Sequence, residues 1–159
     1  MSSKEMSNQG HGTLHHHLEA VKNGNRRYEN AFHAVSRMIL EDGIEKAVVN
    51  GKTTYDFNFF RQGKKHLIGL YNEINSFVSY VKDAASNGSS CEMAYVLVGE
   101  PGNGKTFFVE FLCEKYRSFL AEKENRRYTF KFMGVDKLGS YGKIKAIESQ
   151  TYEDPVILA

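Results

Sequence analysis

Ala94-Tyr95-Val96-Leu97-Val98-Gly99-Glu100-Pro101-Gly102-Asn103-Gly104-Lys105-Thr106 is the stretch on which the reading of this chain turns. Its first five residues form a run too continuous for a half-exposed strand. They suit a central parallel strand covered on both faces. The next eight match G-x-x-x-x-G-K-[ST] at every fixed position. Phe107 to Leu120 then runs without Gly or Pro and reads as a helix. Strand, glycine-rich loop and helix in this order are the setting a phosphate-binding loop requires. A chance match in a chain of this length is expected about once in a hundred.

The residue types fit that chemistry. Gly102 and Gly104, with Gly99 before them, let the backbone take conformations closed to side chains and let phosphates approach closely. Successive amides of Glu100, Pro101-flanked Gly102, Asn103 and Gly104, with the free N–H groups of the helix start, then form a concavity for anions. Lys105 places a point charge on the β- and γ-phosphates of ATP, and the Thr106 hydroxyl is the expected magnesium ligand. Nucleotide binding is therefore expected of Gly99 to Thr106.

Composition sets the bounds. A chain of 159 residues, 41% hydrophobic and 25% charged, suits a soluble domain with its own core. A net charge of +2 argues for neither nucleic acid nor a membrane surface as partner. There is no apolar run of membrane-span length and no signal peptide, so a cytoplasmic location is expected. Cys91 and Cys113 make no disulfide framework, and Cys113 is expected to pack as a small apolar residue within the helix.

Outward from the loop, the chain divides into three. Residues 1–13 are polar and expected to be disordered. Residues 14–60 read as a helical N-terminal segment with a hairpin. His15-His16-His17 are expected to be solvated, because consecutive residues diverge on a helix. Tyr28, Ala31, Phe32, Val35, Met38 and Ile39 recur at helical spacing from Arg26 to about Glu41, and Gly43 ends that helix. Asn50-Gly51 is a hairpin-turn dipeptide between two β-prone runs, and Phe57, Phe59 and Phe60 are core candidates. Residues 61–159 read as the front part of a nucleotide-binding domain. Arg61 to His66 is a basic connector expected to be solvated. Leu70, Ile74, Phe77, Val78, Val81 and Ala85 form one helical stripe. Tyr128 to Phe132 alternates as a second strand, which with the loop helix would close a right-handed parallel unit. Ile144, Ala146 and Ile147 suggest a short helix, and Val156 to Ala159 a final strand.

A phosphate-loop enzyme that hydrolyses ATP also needs an acidic residue at the end of a later strand. Asp136 is the one candidate, and the glycine before it favours an ordinary loop aspartate. No catalytic residue is assigned, and the chain reads as the front of a larger protein.

Two features resemble the AAA+ ATPase superfamily: Gly99 to Thr106, close to its Gly-Pro-Pro-Gly-x-Gly-Lys-Thr loop with Glu100 for the first proline, and Ile68-Gly69 before a helix. More narrowly, residues 60–159 resemble the AAA-type N-terminal region of the PrkA family of serine protein kinases. Gly63-Lys64-Lys65-His66-Leu67-Ile68-Gly69, Glu73 to Phe77, Gly99 to Phe108 and Ile147 to Pro155 carry that likeness. The resemblance implies an α/β P-loop fold, ATP and magnesium as cofactors, and adenine against Ile68 and Gly69. It also implies a cytoplasmic, stress-related signalling role and a protein substrate served by a C-terminal kinase region absent here. Self-association is left open. The alternative is a non-catalytic switch module in which ATP controls assembly or partner binding. A nucleic-acid-loading role lacks support, since Lys and Arg are scattered.

Overall fold

The structure, a computed structural model, describes residues 12–139, 142–151 and 154–159. The disorder expected of residues 1–13 falls, for residues 1–11, outside the described residues. So do Tyr152 and Glu153 of the segment Ile147 to Pro155. The described chain is mixed α/β, with four α-helices and two small antiparallel sheets. It forms two compact units, residues 29–125 and residues 1–28 with 126–159.

The first unit begins with α2 (Ala31–Glu41); α1 (Leu14–Lys22) belongs to the other unit. α2 starts later than the periodicity suggests because Asn30 caps it, its Oδ1 accepting from the His33 amide at 2.8 Å. Tyr28 is thereby left outside the helix and exposed. Gly43 ends α2 with φ +93°, its amide bonded to the Leu40 carbonyl. The hairpin follows as expected: β1 (Ile44–Val49) pairs antiparallel with β2 (Lys52–Phe57), Val49 facing Lys52 across the turn. Asn50 and Gly51 both have positive φ, 51° and 76°, as a type I′ turn demands.

α3 (Tyr71–Ala85) and α4 (Lys105–Ala121) complete this unit. Ile74, Val78, Val81 and Ala85 are buried, so the stripe read from the sequence is a core face. An aromatic cluster joins the hairpin end to α4: the Phe60 ring lies 4.9 Å from Phe59, 6.0 Å from Phe111 and 6.2 Å from Phe108. Spacing of three along α4 puts Phe108 and Phe111 on one face. Cys113 lies off that face and is exposed, which corrects the expectation that it packs inside.

Arg61 is not a solvated connector residue. Its Nε bonds both oxygens of Asp56, at 2.9 and 3.2 Å, and Nη1 bonds the Leu67 carbonyl. Lys65 pairs with Glu114 on α4 at 2.7 Å. The basic segment is thus strapped to the hairpin and to α4, while Lys64 and His66 stay exposed.

Arg37 ties the unit's two ends together. Its guanidinium pairs with Glu29 (2.7 Å), Glu41 (2.8 Å) and the Asn125 side chain (2.7 Å) and lies over the Phe119 ring. The hydrogen bond to Glu29, above all, holds the arginine more firmly in its charged form. Replacing Arg37 by Gln leaves half-buried Glu29 and buried Asn125 short of a donor. We expect a loss of about 2 kcal/mol, read as a lower urea midpoint at unchanged m-value. A shift within about 0.5 kcal/mol would show that the network carries no stability.

Residues 94–98 correct the parallel-sheet expectation. They carry no regular secondary structure and belong to neither sheet. Only alternate side chains find cover, because one face alone is packed against: Tyr95 and Leu97 are half-buried, whereas Val96 is 72% and Val98 89% exposed. The run is therefore not covered on both faces.

In the second unit, β3 (Lys131–Met133) pairs antiparallel with β4 (Ala146–Glu148), not in a parallel crossover. The expected strand at 128–132 starts three residues later and ends one later, as the three-residue β3, and Ala146 and Ile147 of the expected helix lie instead in β4. Pro155–Leu158 is a 3₁₀ turn rather than a strand, because Asp154 accepts the Val156 amide at 2.9 Å and caps it. His15 and His16 are exposed, but His17 is buried, a correction to the solvated reading of the trio. Among the described residues, no helix is long and apolar enough to cross a membrane.

Candidate nucleotide-binding site

The loop from Gly99 to Thr106 turns directly into α4. A turn closes from the Asn103 amide to the Glu100 carbonyl at 3.3 Å. Gly102 and Gly104 follow with φ of +87° and +74°, in the left-handed region. A side chain at either position would strain the backbone even though space surrounds both. Gly104 stands at the N-cap of α4 without a capping side chain, so the first N–H groups of a 17-residue helix keep their hydrogen-bonding capacity. They carry the positive end of the helix dipole with them.

Lys105 folds back over this loop. Its Nζ donates to the carbonyls of Gly99 and Glu100, both at 2.7 Å. The ammonium is held against the loop by two of its three N–H groups, which leaves the third for an anion. Thr106 sits exposed in the first turn of α4, one residue further on. Glu100, Pro101 and Asn103 are likewise exposed along the loop. The donor set is thus free amides, one cation and one hydroxyl. That set fits phosphate oxygens and the magnesium that accompanies them.

Beside Lys105 lies a hollow of about 170 Å³. Leu70 and Ile74 from α3's entry, Tyr95 and Leu97 from the run at 94–98, and Phe108 from α4 give it apolar walls. Glu73 stands at its edge together with Asn103, Gly104 and Lys105. The walls are fixed from behind: Phe108 meets Phe77 edge-on at 5.2 Å, and Phe77 meets Tyr95 at 5.4 Å.

Ile68 and Gly69 lie at the entry to α3. Gly69 (φ +75°) and Leu70 (φ +54°) are both left-handed, and this double turn leaves Ile68 75% exposed. It is Leu70, rather than Ile68, that walls the hollow. A leucine with positive φ is uncommon. Leu70, Glu73, Ile74, Tyr95 and Phe108 were not singled out from the sequence as site residues. The signal was there in part: Leu70 and Ile74 are one turn apart on the helix that follows Ile68-Gly69. Asp136 lies exposed in the 3₁₀ turn Val135–Leu138 of the second unit.

Comparison with protein-family models, with curated proteins and with solved structures gives no match for this chain.

Proposed function

We propose that this chain binds ATP with magnesium through Gly99 to Thr106, as the nucleotide-binding front of a PrkA-like serine protein kinase of the AAA+ class. The observation that carries the reading is the left-handed glycine loop running into an uncapped helix start, with Lys105 Nζ 2.7 Å from two loop carbonyls. Loop amides and Lys105 hold the phosphates, and Thr106 ligates magnesium. When bound, magnesium neutralises charge across the β- and γ-phosphates. The apolar hollow beside Lys105 receives the base, with Ile68 and Gly69 closing over its outer side. The parallel sheet of a P-loop fold would require a strand beside residues 94–98, and the exposed Val96 and Val98 suit a helix layer packed on the face of such a sheet. Phosphorylation of a protein substrate rests on the resemblance alone.

Titration of fluorescent ATP in magnesium buffer tests the reading. We expect saturable binding reversed by unlabelled ATP, with slowed hydrogen exchange at the amides of Gly102 to Thr106. A folded chain that shows no saturable binding overturns it.

A further inference from the structure

The unit built from residues 1–28 and 126–159 contains a cavity of about 530 Å³. That volume lies in the range of small-molecule sites, roughly 300–1,000 Å³. Its lining is mainly apolar, with Leu14, Phe130, Phe132, Met133 and Leu158 prominent. Phe132 and Met133 remain 51% and 68% exposed, so this apolar surface is not used up by the unit's own packing. Two cations, Arg26 and Lys131, share the lining.

Arg26 is held in place before any ligand arrives. Its Nη1 donates to His17 Nδ1 at 3.0 Å, and its guanidinium carbon lies 4.0 Å from the centroid of the Tyr128 ring. Arginine can only donate, so His17 Nδ1 accepts and Nε2 carries the proton. That N–H donates to Asp154 Oδ1 at 3.2 Å, and the same oxygen takes the Val156 amide. His17 is 4% exposed. A bonded row from Asp154 through His17 thus fixes Arg26, while one donor of its five-donor fork is spent on the row. Arg26 and Lys131 put two positive charges on the lining; Asp154, which bonds His17 but does not itself line the cavity, offsets one of them, and with His17 neutral in this tautomer the set carries one net positive charge.

We propose that this cavity binds a small monocarboxylate with an apolar body, an aryl or medium-chain alkanoate. The carboxylate sits on the Arg26 fork, where planar bidentate pairing is available. Lys131 adds its charge from β3, and the body lies against Leu14, Phe130 and Met133. A single net positive charge matches a carboxylate better than a doubly charged phosphate monoester. This site is separate in sequence and unit from the nucleotide loop and does not rest on that reading.

Calorimetric titration of the full chain with octanoate and with 1-octanol separates head group from body. We expect octanoate to bind at least about tenfold tighter, one charge-assisted contact being worth that much. In the Arg26→Gln variant octanoate should lose most of its advantage over 1-octanol, Lys131 alone remaining, with 1-octanol unchanged, which also shows that the cavity persists. Methyl resonances of Leu14, Met133 and Leu158 should move on titration. The proposal is overturned if neither compound binds, if both bind equally to the parent, if the variant keeps its preference or loses both compounds, or if the moving resonances lie elsewhere.

Discussion

Lys105→Ala lowers the affinity for ATP–magnesium about a hundredfold and leaves folding stability within about 0.5 kcal/mol of the parent. The two effects separate because Lys105 touches little that is buried. Its hydrogen bonds go to the carbonyls of Gly99 and Glu100, both exposed residues that water can serve once the ammonium is gone. Among the described residues no ion pair involves it. In the complex the same ammonium faces phosphate oxygens, where a hydrogen bond between charged groups is worth about 1.5–3 kcal/mol. Losing roughly 2.7 kcal/mol is a factor of about a hundred. Arginine does not restore the affinity, since its wider planar fork cannot take the compact position of an ammonium against two loop carbonyls. Labelled-ATP titration and urea melts on the same preparations decide the matter. A folded variant that binds as the parent does would remove the loop from the site.

The loop itself was legible because its motif is local: glycine positions, lysine and threonine act through backbone that the same few residues build. The hairpin was legible for the same reason, Asn50-Gly51 specifying both positive φ angles of its turn. So were α2 and α3, whose apolar periods are long. What failed was everything that depends on a partner distant in sequence. Five apolar residues at 94–98 predict a strand covered on both faces, yet a strand exists only beside another, and the segment at 131–133 pairs with 146–148 instead. His17 looked solvated among three histidines. Its burial depends on Asp154, 137 residues later, and on Arg26, neither of which any local pattern joins to it. Arg61 likewise reads as one more surface cation until Asp56 and the Leu67 carbonyl are seen to hold it. The walls of the hollow, Tyr95 above all, fall in the same class: they are read as core from sequence and become site residues only through their neighbours.

Phe60→Ala costs about 3–5 kcal/mol, a large share of the roughly 5–15 kcal/mol that holds a domain folded. Phe60 is wholly buried and lies at the centre of the aromatic cluster, edge-on to Phe59 and stacked near Phe108 and Phe111. Truncation loses the transfer energy of the ring and leaves a cavity that cannot close easily. Two of its walls are successive turns of α4, and the third is the adjacent residue in the 3₁₀ turn Asn58–Phe60, which Arg61 straps to the hairpin through Asp56. Phe60→Leu refills part of the space and should lose about half as much. Exposed Ile68→Ala serves as the control and should stay within about 0.5 kcal/mol. The effect also reaches the nucleotide site, because Phe108 both contacts Phe60 and walls the hollow beside Lys105. A loosened Phe108 therefore weakens ATP binding even under conditions where the variant is still mostly folded. The chain contains no tryptophan, so urea unfolding is best followed by circular dichroism at 222 nm, where α2 to α4 dominate. A loss below about 1 kcal/mol would mean that the ring is not the packing centre of this unit. Normal ATP affinity in a clearly destabilised variant would show instead that Phe108 holds its place without Phe60.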